Sequence, residues 1–260
     1  MDFIKVDDAA CKRDGMCADV CPTGCIELDA EGLPRQTKGA MCIACGHCVA
    51  VCPHEALGNS NLDAAGMLPL PESLPDAASV RGLMLSRRSV RVYKDTPVPA
   101  ATLAGLLDTA RHAPTAVNTQ NVAYAACADP AKTREAARLC IEWLRGAGVY
   151  PHMVAAWDKG RDAALRGAPA IVVAHCPADY AWGETDCVIA VSYLELFAAA
   201  SGLGTCWAGL LTRAAQASAD LARLLAIPEG SVARAALMIG YPKYRYRAVP
   251  SRRAAKVTWL

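Results

Sequence analysis

Residues 42–53 read Cys-Ile-Ala-Cys-Gly-His-Cys-Val-Ala-Val-Cys-Pro, a run in which cysteines recur every three or four residues before a proline. A shift of the chain by 31 residues reproduces most of this run near the amino terminus. The positions that coincide are Cys11 with Cys42, Cys17 with Cys48, Cys21 with Cys52 and Pro22 with Pro53. Closely spaced thiolates are the soft ligands that iron–sulfur clusters favour. The run therefore indicates a duplicated, metal-binding module at the front of the chain.

The second copy resembles the cysteine run of bacterial ferredoxins that hold two clusters. In that family the fourth cysteine of each run ligates the other cluster. The resemblance implies a small ferredoxin-like α+β domain over residues 1–60. The implied ligands are Cys21, Cys42, Cys45 and Cys48 for one [4Fe–4S] cluster, and Cys11, Cys17 and Cys52 for the other cluster. A structural zinc site is the alternative, but it usually takes two separated Cys-x2-Cys pairs.

One ligand position of the repeat is altered, because Asp14 stands where the second copy has Cys45. Either Asp14 supplies a harder oxygen ligand to a [4Fe–4S] cluster, or one iron is absent and the cluster is [3Fe–4S], or an outside thiol binds. Cys25 is a further thiol whose repeat counterpart is Ala56. It is either a small buried hydrophobe, a substitute ligand or a redox-sensitive neighbour of a cluster.

Length and composition indicate a globular protein with two unequal domains. The 260 residues are 53% hydrophobic and 20% charged, which is enough to bury a sizeable core. No secretion signal and no run of about eighteen apolar residues is present, so we expect a soluble, cytoplasmic protein without a membrane partner. Eight of the thirteen cysteines precede residue 53 at metal-ligand spacing, which favours reduced thiolates over disulfides.

The charge is unevenly distributed along the chain. Residues 1–70 contain five Lys and Arg against ten Asp and Glu, whereas the remainder contains 22 against 15. The acidic front and the basic remainder either attract each other or are simply solvated, and a basic body also suits a phosphate-bearing ligand. Lys and Arg are not clustered in a stripe with interleaved aromatic residues, so nucleic acid is not expected as a partner.

A linker and a phosphate-binding pattern follow the cysteine module. Residues 61–78 lack helical or strand periodicity and are rich in turn formers, so we predict a linker there and a second domain over residues 79–260. Asp76 is expected to cap a helix that runs to about residue 87. The next residues offer guanidiniums and a hydroxyl to a phosphate: Arg87, Arg88, Ser89 and Arg91. Arginines in a last helical turn are also explained by the helix dipole.

This arginine segment resembles the R-x-S-x-R signature of the nitroreductase family, and further motifs follow in the family's order. Residues 113–121 are similar to A-P-S-x-x-N-x-Q-P, with Thr115 in place of Ser and Asn121 in place of Pro. The later motifs are G-L-G-T-x-W at 202–207, G-Y-P at 240–242 and P-x-R at 250–252. The resemblance covers about residues 80–260 and implies a three-layer αβα domain of the α+β class that binds FMN.

The same resemblance assigns individual residues to the flavin. In the family, the first motif and the closing arginines bind the phosphate, while the A-P-S and G-L-G-T loops lie against the ring. The residues implied to bind FMN are Arg87, Arg88, Ser89, Arg91, Pro114, Thr115, Ala116, Asn118, Gln120, Cys206, Trp207, Ala208, Gly209, Arg252 and Arg253. For Cys206 and Trp207 the alternative is an ordinary place in the core.

Three apolar patterns predict the scaffold of this second domain. Residues 103–111 have the periodicity of an amphipathic helix, and residues 170–174 form a β-prone run that fits a strand covered on both faces. Residues 187–201 are apolar on nearly all sides, which predicts a buried helix. This helix resembles the central helix of the family's intimate homodimer, so the resemblance implies that two copies of the chain associate.

No Ser-His-Asp or Cys-His triad and no H-E-x-x-H string is readable, so the chemistry falls to cofactors. We expect an oxidoreductase that passes electrons between the clusters and FMN and reduces a small organic acceptor. The resemblance implies nitroaromatics, quinones or activated alkenes as acceptors, with NAD(P)H or an external ferredoxin as donor. Some family members cleave or dehalogenate aromatic rings. The alternative function is an electron-transfer adaptor that relays electrons to a partner protein.

Overall fold

A computed structural model describes residues 2–39 and 41–260 of the protein. The chain separates into two compact units. The first contains the chain up to Leu74 together with Val117–Thr119, and the second contains Pro75–Ala116 and Gln120–Leu260. Among the helices of the described residues, none is long and apolar enough to cross a membrane.

The first unit contains the cysteine repeat as two copies of one strand-and-helix pattern. Its elements are β1 (Ile4–Val6), α1 (Met16–Asp19), β2 (Ile26–Leu28), β3 (Pro34–Gln36), α2 (His47–Ala50) and β4 (Leu57–Asn59). Helices α1 and α2 begin 31 residues apart, as do strands β2 and β4. Strand β1 pairs with β4 and β2 pairs with β3, both antiparallel. The first strand of each copy therefore pairs with the last strand of the other, which interlocks the two copies.

Glycine starts the short helix of each copy for a conformational reason. Gly15 and Gly46 both have φ 78° and ψ −6°, in the left-handed region that side-chain-bearing residues rarely adopt. Behind these turns lies a small core made of Phe3, Cys17, Cys25, Ile26, Cys48 and Leu57. The small α+β module expected at the front of the chain is thus confirmed.

The second unit begins with two helices, and a mixed sequence of helices and strands follows. Its elements are α3 (Ala77–Ser86), α4 (Ala100–Ala110), β5 (Ala123–Cys127), α5 (Pro130–Gly146), α6 (Pro151–Asp158), β6 (Ala170–Pro177), α7 (Gly183–Ala200), β7 (Gly204–Trp207), α8 (Gly209–Ala217), α9 (Ala219–Leu224) and β8 (Ser231–Gly240). The strands form one sheet in the order β5–β6–β8–β7, and every neighbouring pair is antiparallel.

Strand β6 shows why this unit has three layers. Its residues alternate between two cores, since Ile171 and Val173 join one and Ala170, Val172 and Ala174 join the other. Helices α5, α6, α8 and α9 pack on the first face, and α4 and α7 pack on the second. The predicted strand covered on both faces and the predicted αβα architecture are therefore confirmed.

The helix predictions agree with the structure with one exception. Asp76 caps α3, because its side chain accepts a hydrogen bond from Ser79 N at 2.6 Å. Leu103 and Leu106 place the apolar side of α4 in the core, as expected of an amphipathic helix. Helix α7, expected to be buried all round, is buried on one side only in the single chain. Its exposed side carries large apolar residues: Val188, Tyr193 and Phe197.

Candidate cofactor sites

The four cysteines predicted to hold one cluster all line the same cavity of the first unit. They are Cys21, Cys42, Cys45 and Cys48. Backbone donors point at two of the sulfur atoms: Cys25 N lies 3.1 Å from Cys21 Sγ, and Ala44 N lies 3.3 Å from Cys42 Sγ. Such donors stabilise negative charge on a ligating sulfur. Four soft ligands and donors aimed at their sulfur atoms fit an iron–sulfur cluster.

A second cavity of the first unit brings together the remaining predicted ligands. Its lining includes Cys11, Asp14, Cys17 and Cys52. Asp14 stands at the place of the fourth ligand, and its Oδ1 accepts a hydrogen bond from Met16 N at 3.1 Å. The backbone thus holds one carboxylate oxygen, and the other is the candidate iron ligand. Each cavity receives the fourth cysteine of the other run, which is the exchange implied by the ferredoxin resemblance.

Cys25 lies against the cavity that already has four thiolates. Its side chain is 2% exposed, and its Sγ lies 3.1 Å from Thr23 Oγ1. Its counterpart in the repeat, Ala56, lines the other cavity, the one that contains Asp14. Cys25 does not line that cavity. Cys25 therefore lies at the four-thiolate cavity, whereas the cavity that contains Asp14 has Ala56 at the matching position.

Burial and hydrogen bonds act in opposite directions on the cysteine thiols. Burial raises the pKa of Cys17 and Cys48 above the usual value. Burial also acts to raise the pKa of Cys21, but hydrogen bonds from the Cys25 backbone and from Thr23 outweigh it and lower that pKa. Within residues 2–39 and 41–260, no three His, Cys, Asp or Glu side chains converge tightly enough for a single ion.

The arginine motif of the second unit forms one wall of a cavity of about 190 Å³. The motif contributes Arg87, Arg88 and Val90, and the other lining residues are Ser86, Ala199, Gly202–Thr205, Pro242 and Tyr246. Val90 N donates to Thr205 O at 2.8 Å, and Ser89 forms a β-bridge with Thr205, so backbone pairing joins the arginine and G-L-G-T motifs. Guanidinium groups at a cavity wall suit an anion such as phosphate.

Two glycines allow these motifs to meet. A Cβ on Gly204 would lie 2.6 Å from Cγ2 of Val90, and a Cβ on Gly240 would lie 2.7 Å from both Tyr93 Cδ1 and Pro169 Cδ. Neither contact is sterically possible for a larger residue without movement of its neighbours. Glycine is therefore required where β7 and β8 approach the arginine segment. The G-L-G-T-x-W motif was expected as a loop, but its residues Gly204–Trp207 form strand β7 at the edge of the sheet.

A buried carboxylate joins the arginine motif to the G-L-G-T-x-W motif. Glu195 of α7 is 7% exposed and accepts hydrogen bonds from three donors. The donor distances are 3.1 Å from Arg87 Nη1, 3.2 Å from Thr205 Oγ1 and 3.2 Å from Trp207 Nε1. Sequence reasoning missed this residue. The available signal was a single charged side chain in the apolar run 187–201, because acidic residues are rarely buried unless paired.

The other predicted guanidiniums are held by backbone oxygens. Arg88 donates from Nε to Ser86 O at 3.3 Å and from Nη2 to Leu85 O. Arg91 Nη1 donates to Ser89 O at 3.3 Å.

Burial raises the pKa of the Cys206 thiol, and the positive charges of Arg91, Arg166 and Arg87 act in the opposite direction. The negative charge of Glu195 acts in the same direction as burial, so this thiol lies among charges of both signs.

The residues of the A-P-T loop lie apart from the arginine cavity. Thr115 and Gln120 line a smaller cavity of about 90 Å³, and Gln120 N donates to Thr115 Oγ1 at 3.0 Å. Ala190 lines this cavity, whereas Ala199 of the same helix lines the arginine cavity. Nine residues of α-helix separate the two positions by about 14 Å. Within one chain, predicted phosphate-binding residues and predicted ring-binding residues of the A-P-T loop therefore line separate cavities.

The backbone of this loop has an uncommon conformation. Val117, Asn118 and Gln120 have φ of 45°, 54° and 52°, which is rare for residues other than glycine and especially for a β-branched one. Asp186, buried at 2% exposure, holds the loop by accepting from Ala116 N at 3.2 Å. Tyr180 donates its hydroxyl to the same carboxylate at 2.5 Å. Such a conformation persists only where surrounding contacts enforce it, and it is a feature of functional loops.

The remaining predicted flavin residues are placed as follows. Asn118 belongs to the first unit, where its Nδ2 donates to the carbonyl oxygens of Ile43 and Ala44 at 3.1 and 2.9 Å. Pro114 and Gly209 are exposed, and Ala208 is buried. Arg252 and Arg253 are exposed in a carboxyl-terminal segment without regular secondary structure, and neither lines the arginine cavity. Ser89 and Arg91 do not line it either, so Arg87 and Arg88 are the predicted phosphate-binding residues that reach this cavity.

The fold and its motifs define an enzyme of a flavoprotein class, and comparison with known proteins names the family. Residues 84–241 match the model of the nitroreductase family, and residues 3–53 match that of a 4Fe-4S dicluster domain. The protein is therefore a member of the nitroreductase family that carries an amino-terminal ferredoxin domain. It is an oxidoreductase.

Individual relatives share one or the other part. An NADH dehydrogenase/NAD(P)H nitroreductase of Archaeoglobus fulgidus is 29% identical over 161 residues, which are 62% of this chain and 84% of the relative. The ferredoxin-like protein YdhX of Escherichia coli is 43% identical over 43 residues, 16% of this chain and only 19% of YdhX. A Bacteroides fragilis nitroreductase crystallised with FMN superposes with a TM-score of 0.58 at 21% identity, covering 70% of this chain and 98% of that one. This last likeness concerns the fold alone.

Proposed function

We propose that the protein passes electrons between ferredoxin-type clusters and FMN and reduces a small organic acceptor, such as a nitroaromatic, a quinone or an activated alkene. One observation carries the proposal: the same chain contains two thiolate-lined cavities and an arginine-lined cavity joined to the family's glycine motif. The first two suit iron–sulfur clusters, and the third suits a phosphate. A cytoplasmic location is proposed with it, since reduced thiolates persist in that compartment.

The chain's own residues would bind and orient the flavin. Arg88, Ser89 and Arg91 would bind its phosphate, and Arg87 would act with them while Glu195 fixes its position. When bound, FMN supplies hydride and single-electron chemistry at its ring. The side chains of Thr115 and Gln120 and the β7 segment at Trp207 would orient that ring. A donor set of guanidiniums beside closely packed glycine fits this ligand.

We propose one [4Fe–4S] cluster on Cys21, Cys42, Cys45 and Cys48, and a second cluster on Cys11, Cys17 and Cys52. At the second cluster Asp14 would complete a four-iron centre through its free carboxylate oxygen, and loss of that iron would leave a [3Fe–4S] centre. The clusters supply one-electron transfer to the protein. NAD(P)H and an external ferredoxin are the candidate donors, and NAD(P)H is favoured by the name of the Archaeoglobus fulgidus relative.

A homodimer is part of the proposal. The exposed side of α7 carries Val188, Tyr193 and Phe197, and on α3 Val80 and Met84 are also exposed. Such apolar surface usually marks a protein interface. The arginine cavity of about 190 Å³ lies below the roughly 300–1,000 Å³ that encloses a whole ligand, so a second chain would complete the pocket.

Anaerobic purification tests the cofactor content directly. Iron, sulfide and FMN are counted, and visible and EPR spectra are recorded. We expect both cofactor types in the wild-type protein and loss of FMN from Arg91→Ala, while the surface control Arg223→Ala retains it. Material with neither iron and sulfide nor FMN would end the proposal.

Turnover then separates the enzyme from the adaptor. The clusters are bleached with reduced ferredoxin or dithionite, excess reductant is removed, and a nitroaromatic or quinone is added. Reoxidation of the clusters with stoichiometric product supports the enzyme. Reoxidation only by a protein acceptor, with small acceptors inert, would support the electron-transfer adaptor instead.

A further inference from the structure

The duplication of the first unit provides an internal comparison between the two cluster cavities. At matching positions, Cys25 N donates to Cys21 Sγ at 3.1 Å and Ala56 N donates to Cys52 Sγ at 3.4 Å. This backbone donor is therefore common to both copies, because it comes from the turn that follows each Cys-Pro pair. Differences between the cavities must come from side chains and from the loop before each helix.

One side-chain donor is present in only one of the two copies. Asn59, at the end of β4, donates from Nδ2 to Cys42 Sγ at 3.4 Å and lines the four-thiolate cavity. Its position is fixed on both sides: β4 is paired to β1 at Ile4, and the Oδ1 atom of Asn59 accepts from Asn61 N at 2.9 Å. Because the backbone N–H of Asn61 binds the Oδ1 atom of Asn59, the NH2 group of the Asn59 side chain faces Cys42 Sγ.

The counterpart of Asn59 in the first copy is Leu28, which occupies the same place at the end of β2. Leucine has no donor, and this side chain is 44% exposed and packs near Gly15. The two cavities thus differ by one amide donor at an otherwise repeated position. That difference is independent of the Asp14 substitution.

A donor of this kind has a redox consequence. Reduction of a cluster adds negative charge that is shared by its sulfur ligands, and an N–H aimed at a ligand stabilises the reduced state more than the oxidised state. We propose that Asn59 is a positioning residue that raises the reduction potential of the cluster held by Cys21, Cys42, Cys45 and Cys48. This inference rests on the proposed function, since it requires that a cluster is bound there.

The test is a potentiometric titration of the full-length, cluster-loaded protein followed by EPR. Asn59→Leu imposes the residue that the first copy uses. We expect its reduction equilibrium to shift about tenfold towards the oxidised cluster, which is about 59 mV for a one-electron couple. Asn59→Asp keeps the shape but replaces the donor with a negative oxygen, so its shift should have the same direction and be larger. Asn61→Leu is the matched control and should titrate like the wild type.

The outcomes separate this inference from the proposed function. Iron and sulfide counts are made on every variant before titration. A wild-type protein that lacks clusters would remove the proposed function itself. Clusters present in full with unchanged potential in Asn59→Leu, or in Asn59→Asp if the leucine variant loses iron, would overturn the role of Asn59 and leave the proposed function intact.

Discussion

The buried carboxylate of Glu195 accepts hydrogen bonds from three side chains, so its replacement should have a large effect. Glu195→Gln keeps the shape of the side chain but removes its charge and turns one acceptor into a donor. The ion pair with Arg87, now at 3.1 Å, is lost. The new amide NH2 group also faces the hydroxyl of Thr205 or the Nε1–H of Trp207, each of which donates to Glu195 at 3.2 Å, so one of these two donors loses its acceptor. A hydrogen bond to a charged group contributes about 1.5–3 kcal/mol, and an unsatisfied buried donor costs about 1–3 kcal/mol.

These contributions overlap, since all three donors share one acceptor. We therefore expect Glu195→Gln to lower the free energy of unfolding of the second unit by about 2–4 kcal/mol. Glu195→Ala should cost about 3–5 kcal/mol, as for a buried ion pair that loses one partner. Both variants should also retain less FMN, because Arg87 is no longer held in place.

The assay is urea unfolding of the apoprotein followed by tryptophan fluorescence. All five tryptophans lie in the second unit, so the signal reports on that unit: Trp143, Trp157, Trp182, Trp207 and Trp259. Glu229→Gln, at an exposed loop position, is the control and should stay within about 0.5 kcal/mol of the wild type. A Glu195→Gln curve that coincides with the Glu229→Gln curve would refute the reasoning.

Three further predictions concern other parts of the molecule. Gly204→Ala should destabilise the second unit by about 1–3 kcal/mol in the same assay, whereas Gly209→Ala, whose Cβ would meet open space, should not. Asp14→Cys restores the repeat, and we expect EPR and iron analysis to show two four-iron clusters; a persistent three-iron signal would contradict this. Burial lowers the pKa of His175, so the folded state disfavours its protonation and stability should fall as pH drops below the unfolded value of about 6.5. His175→Gln should weaken that pH dependence measured by urea unfolding, and an equal effect of the exposed control His112→Gln would refute the assignment.

Features that are local in the chain could be predicted from the residues alone. The cysteine spacing indicated a metal-binding module, because a chelating turn is made by neighbours in sequence, and the exchange of the fourth cysteine between the two runs was implied by the ferredoxin resemblance. The capping of α3 by Asp76 and the burial of residues 170–174 on both faces followed from short-range hydrogen bonding and from apolar patterning. The resemblance carried by the motifs and their order then led to the correct family.

Features that join distant parts of the chain were decided by the tertiary structure. Nothing in the sequence links Glu195 to Arg87, 108 residues away, or Asp186 to Ala116, 70 residues away. The cavity that Cys25 faces depends on which strands interlock, and the exposed side of α7 depends on which helices cover it. Spacing determines what a turn or a helix can do by itself. A buried charge meets its donors only when the sheet and its two helical layers bring distant segments together. In an isolated segment the same charge stays in water, because burying it without a partner costs free energy.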